Sequence, residues 1–130
     1  MLKTVILLIE DNEQNRYLAT FLLEKYGYEV VSAVDGPQGI ALAGQLLPRL
    51  ILLDIQLPSM DGYAVARSLR CNPALADIPI VAVTSYAMPG DRDRALEAGC
   101  HGYIEKPINP DTFVSEVARY LTPAAGKVES

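Results

Sequence analysis

"LILLDIQLPSMDG", residues 50–62, decides the fold. Leu50-Ile51-Leu52-Leu53 is apolar at every position, as a strand covered on both faces should be. The run ends in a carboxylate, Asp54. Pro58 and Gly62 then read as a turn into a helix, with Asp61 as its cap. A strand of this kind belongs in the middle of a sheet, and it delivers an acid to its own tip.

Further apolar runs lie at 5–9, 30–34, 80–83 and 103–104. Between them the spacing is helical. Leu18, Leu22 and Tyr26 form one series; Phe113, Val117 and Leu121 form another, with Val114 and Ala118 beside them. Asn109-Pro110-Asp111 reads as N-cap, N1 proline and first-turn acid. Gly27, Gly36, Gly99 and the prolines punctuate the remainder, and Gly39 and Gly44 weaken the second helix. Strand alternating with helix implies parallel strands joined by right-handed crossovers, hence an α/β fold with one doubly wound sheet. Ligands of such sheets sit outside the carboxyl ends of the strands.

Composition narrows the function. The chain has 130 residues, half of them hydrophobic, enough for one domain with a real core. No apolar run approaches the roughly 20 residues that span a bilayer. "MLKTVILLIEDN" runs into two acids rather than a cleavage site, so it reads as a first strand and not a signal peptide. These features predict a cytoplasmic protein with no membrane partner. A net charge of -5 without a Lys/Arg cluster argues against direct nucleic-acid binding. Cys71 and Cys100 lack zinc spacing and read as two reduced packing thiols.

The strand ends carry the chemistry. Strand one ends in Glu10-Asp11, strand three in Asp54, strand four in Thr84-Ser85 and strand five in Lys106-Pro107. Each is unremarkable alone: acids after a strand are often solvated, and a lysine is usually on the surface. Together they bring three carboxylates, a hydroxyl and an ammonium to one edge of the sheet. Two carboxylates about 4 Å apart repel by up to about 4 kcal/mol at an effective dielectric of about 20. A hard divalent cation removes that repulsion, and oxygen ligands without His or Cys favour Mg²⁺. A carboxylate beside Mg²⁺ and a lysine suits attack on a phosphoryl group, with Thr84 placed to hydrogen-bond the product.

With these residues in place, the chain resembles the receiver domain of two-component response regulators, to about residue 121. "EDNEQN", "DIQLP", "IPIVAVTSYAMPGD" and "AGCHGYIEKPI" look especially like its stand-alone, DivK-like members. The resemblance implies a flavodoxin-like strand order 2-1-3-4-5 with helices on both faces. It implies a receiver domain over residues 1–121 and a short, frayed tail over 122–130 without an output domain. It makes Asp54 the phosphoacceptor. Mg²⁺ would be held by Asp11, Asp54, the Gln56 backbone carbonyl and, through water, Glu10. Thr84, Lys106 and Tyr103 become phosphoryl-binding and switch residues, and Lys106-Pro107 a cis bond.

The implied partners are a histidine kinase or histidine phosphotransfer protein, and a downstream protein bound by the face of helix 4, strand 5 and helix 5. The chain is expected to act as a monomer or weak dimer, and as a phospho-accepting switch with slow autodephosphorylation rather than an enzyme. The segment "AMPGDRDRALEAG" predicts a weakly packed fourth helix, held mainly by Ala95, Leu96 and Ala98, with residues 91–94 solvated. Departures from the family pattern are modest: Ser85 where alanine is frequent, and a bulky Tyr86 near the reaction mouth.

Other readings fit less well. A haloacid-dehalogenase-type hydrolase needs an acid two residues after its nucleophile, where this chain has Gln56, and needs room for a cap domain. A docking module that is never phosphorylated leaves the full acid, threonine and lysine set unexplained. A flavodoxin-like cofactor carrier needs a phosphate-cradling loop where this chain has acids.

Overall fold

The computed structural model describes residues 3–57, 60–85 and 89–128, with side chains described to residue 121. Pro58 and Tyr86 lie outside the described residues. Five strands form one parallel sheet: β1 (Val5–Ile9), β2 (Glu29–Ala33), β3 (Leu50–Asp54), β4 (Ile80–Thr84) and β5 (Gly102–Glu105), in the order β2-β1-β3-β4-β5. They alternate with α1 (Glu13–Lys25), α2 (Gly36–Leu46), α3 (Gly62–Arg70), α4 (Asp91–Glu97) and α5 (Phe113–Val128). The expected fold class and strand order are both present.

Alternation along β1 divides the core. Leu7 and Ile9 face one layer, with Ala43 of α2, Val65 and Leu69 of α3 and Ala95 of α4. Ile6 and Leu8 face the other, with Leu22 and Leu23 of α1 and Phe113 and Val117 of α5. β3 and β4 are buried at every residue, which accounts for the unbroken apolar runs. Asp35 and Asp61 cap α2 and α3, accepting from Gln38 N–H and Tyr63 N–H.

Several details depart from the sequence reading. Tyr26 is 66% exposed and ends α1. The inward face is Ala19, Leu22 and Leu23 instead, since positions i, i+3 and i+4 share a side of a helix. Gly36 is no turn residue but the first residue of α2. Gly39 also has a packing role: a β-carbon there would lie 2.4 Å from Ile9 Cδ1, so α2 sits close to the β1 side chains. Cys100 is a packing thiol, pushed up to about 11 by burial, whereas Cys71 is exposed at the end of α3. α5 runs to Val128, into the segment expected to be a tail.

Candidate phosphoacceptor site

The carboxyl ends of β1, β3, β4 and β5 meet at one rim. Parallel register sets this up: Asp54 pairs with Val83, and Thr84 with Glu105. β1 hands over to Glu10 and Asp11, and Asn12 then caps α1 by accepting from Asn15 N–H at 2.8 Å. Three short-range bonds fix the acidic turn. Asn12 N–H donates to Glu10 Oε2 at 3.1 Å, and Arg16 donates to the carbonyls of Glu10 and Asp11 at 3.1 and 3.2 Å. After β3 the chain doubles back. Gly62 N–H donates to Ile55 O at 3.1 Å, and a β-carbon on Gly62 would lie 2.4 Å from Ile55 Cα. Only glycine lets α3 begin this close to the loop that carries Asp54 and Gln56.

Carboxylate oxygens of Glu10, Asp11 and Asp54 lie within 4.8 Å of one another. Glu10 and Asp54 are buried; Asp11 is exposed. Lys106 directly follows β5, and its bond to Pro107 is cis. Its Nζ lies 3.0 Å from Glu10 Oε1 and 3.4 Å from Asp54 Oδ2. Gln56 N–H donates to Asp54 Oδ1 at 2.9 Å. Burial pushes the Asp54 carboxyl above its ordinary range; Gln56 N–H draws it down, Glu10 raises it and Lys106 lowers it. One ammonium thus pairs with two of three clustered acids, in a site with no nitrogen or sulfur ligand among the described residues, a donor set that suits a hard cation such as Mg²⁺.

Thr84 is buried at the tip of β4, and its hydroxyl accepts from Gln56 Nε2 at 2.9 Å. Tyr103, on β5, is half-buried, and its hydroxyl is pushed up by burial and by Asp91, Glu105 and Tyr63. Asp91 was expected in solvent. It is buried at the start of α4, 3.9 Å from Arg94, which also lies over the Tyr63 ring at 4.5 Å. Leu96, expected to hold α4, is 47% exposed; Ala95 and Ala98 face the core.

All eight expected positions therefore gather at or beside this rim: Glu10, Asp11, Asp54, Gln56, Thr84, Tyr103, Lys106 and Pro107. Two contributors were missed. The Gln56 side chain is one, because its partners lie on β4. Arg16 is the other, although its spacing from Asn12 along α1 was visible.

A model of the response regulator receiver domain matches residues 6–118. The chain is a response regulator receiver domain. It is 40% identical to the polar-differentiation response regulator DivK of Brucella anthropi, over 89% of this chain and 94% of that one. Among solved structures, chemotaxis protein CheY4 of Vibrio cholerae superposes with a TM-score of 0.88 at 27% identity, covering 92% of this chain and all of that one. The receiver domain of a sensor histidine kinase from Pseudomonas aeruginosa, with a magnesium ion coordinated in its active site cleft, superposes with a TM-score of 0.82 at 34% identity, covering 94% and 97%. As a receiver domain this one is a phosphoacceptor of two-component signalling, a family of switches that work with histidine kinases and downstream targets. Among the described residues, no helix is long and apolar enough to cross a membrane.

Proposed function

We propose that Asp54 accepts the phosphoryl group, from a phosphohistidine protein or a small phosphodonor. The observation that carries this is a buried Asp54 flanked by two further acids and 3.4 Å from the Lys106 ammonium. An Asp54 oxygen attacks phosphorus as the bond to the donor breaks, and the donor nitrogen or oxygen keeps the electron pair. Lys106 offsets charge on the transferring oxygens, and Thr84 hydrogen-bonds one of them in the product. Asp11, Asp54, the Gln56 carbonyl and, through water, Glu10 are the residues that would hold Mg²⁺, which would supply charge neutralisation and orientation. Attack of water on phosphorus later releases phosphate and restores the carboxylate, slowly.

Thr84 drawn toward the phosphoryl group vacates space that Tyr103 fills. α4 has only seven residues, with Ala95 as its one apolar residue packed in the core, so it gives way readily. The downstream protein binds the α4–β5–α5 face; a groove of about 770 Å³ lined by Arg92, Tyr103, Lys106, Asn109, Thr112 and Glu116 supports this reading. A partner preferring the altered face binds more tightly after phosphorylation, by linkage. In this reading residues 1–121 form the switch in the cytoplasm, as a monomer or weak dimer.

Incubation with acetyl phosphate and Mg²⁺, followed by intact-mass measurement, should show one added phosphoryl group, with none in Asp54→Asn and none under chelation. Normal labelling of Asp54→Asn would overturn the assignment. Phosphorylation should also change hydrogen exchange in α4 and β5, and Thr84→Ala should abolish that change while labelling persists.

A further inference from the structure

Gln56 contributes more than its backbone. Its side-chain amide bridges the loop after β3 and the end of β4. The amide nitrogen donates to Thr84 Oγ1 at 2.9 Å. The amide oxygen accepts from Ser85 Oγ at 3.1 Å and from Ser85 N–H at 3.3 Å. A backbone N–H can only donate, so the atom facing it is the oxygen, and this places the nitrogen on Thr84. Ser85 thus sets the amide's orientation, and the amide in turn grips the hydroxyl of the residue before Ser85.

We propose that Gln56 and Ser85 form a latch that holds Thr84 in its resting position and opposes its movement toward a phosphoryl group on Asp54. This rests on the phosphoacceptor reading above. The Gln56–Thr84 bond belongs to the resting arrangement, so every contact that strengthens it favours that arrangement. A ligand that requires the shifted Thr84 then binds with an affinity reduced by the fraction of molecules already shifted. Ser85 Oγ tightens the latch: an alanine there leaves the amide oxygen to the backbone N–H alone. Gln56 and Ser85 are accordingly positioning residues that act through Thr84.

Beryllofluoride in saturating Mg²⁺ serves as the phosphoryl mimic, titrated into the wild type, Ser85→Ala and Gln56→Met. The methionine keeps the backbone donor and carbonyl and nearly the length of the side chain, but removes the amide. Ser85→Ala should bind beryllofluoride about three-fold more tightly and Gln56→Met about five-fold, the scale of one net hydrogen bond. Mg²⁺ affinity without beryllofluoride should be unchanged in Ser85→Ala. In a Thr84→Ala background both gains should vanish, which a merely structural effect would not produce. Unchanged or weaker beryllofluoride binding in both variants, or equal gains without Thr84, would overturn the latch while leaving the phosphoacceptor reading intact. A wild type that neither binds beryllofluoride nor labels with acetyl phosphate would overturn both.

Discussion

The two ends of the sheet treat charge in opposite ways. At the carboxyl end, three carboxylates cluster and two of them, Glu10 and Asp54, share one ammonium, and Asp54 is held above its ordinary carboxyl range by burial. At the other end, Arg70 closes α3 onto the segments leading into β4 and β5. Its Nε donates to Gly99 O at 2.8 Å, Nη1 to Leu75 O at 2.9 Å and Nη2 to Ile78 O at 2.8 Å. Nη2 also meets His101 Nδ1 at 2.8 Å, and since a guanidinium only donates, that ring nitrogen accepts. The burial that raises Asp54 lowers Arg70, but Arg70 is compensated by fixed carbonyl dipoles. One end is completed by its own chain. The other is completed by something the chain must bind.

Removing each charge separates the two ends. Arg70→Met should give the largest effect, a loss of about 3 kcal/mol in urea unfolding, because several carbonyls lose a charged donor together. Arg70→Lys should recover less than half, since one ammonium cannot replace a fork of donors. A loss below about 1 kcal/mol would mean that water satisfies those carbonyls equally well. Lys106→Met should cost about 2 kcal/mol without metal, less than a fully buried pair would, because Asp54 can take up a proton instead. Mg²⁺ should restore part of that loss, whereas it should not rescue Arg70→Met.

A smaller effect concerns pH. Below the ordinary aspartate value of 3.8, Asp54 is protonated in both folded and unfolded chains and carries no penalty. The folded protein holds that proton more tightly, so stability falls as pH rises from 3.8 through the raised folded value. Asp54→Asn removes this dependence. Its advantage over the metal-free wild type should therefore be present at neutral pH, at roughly 1–2 kcal/mol, and fade in acid. An advantage independent of pH would remove ionisation of Asp54 as its cause.

How much of this was legible in the sequence follows from the range of the interactions. Strands β3 and β4 are buried at every residue, so their apolar runs stood out, and parallel order then carried Glu10, Asp11, Asp54, Thr84 and Lys106 to one rim. Caps such as Asp61 depend on near neighbours and were equally visible. Tyr26 misled because it keeps a four-residue spacing that the helix does not outlast. Asp91 misled because a run of charges hides the one member that the fold turns inward beside Tyr63 and Tyr103. The Gln56 amide and the Arg70 contacts to Gly99 and His101 join residues about thirty positions apart, and no local pattern announces such a pair.

The most direct test of the incomplete end is thermal unfolding of the wild type and Asp54→Asn, each with and without Mg²⁺. Without metal the variant should melt higher, by an amount reflecting roughly 1–2 kcal/mol after screening. Mg²⁺ should then raise the wild type more than the variant, because binding to the folded state alone adds stability in proportion to affinity. Equal melting temperatures without metal and equal responses to Mg²⁺ would contradict the account, and would mean that Asp54 neither strains the metal-free fold nor helps to hold the cation.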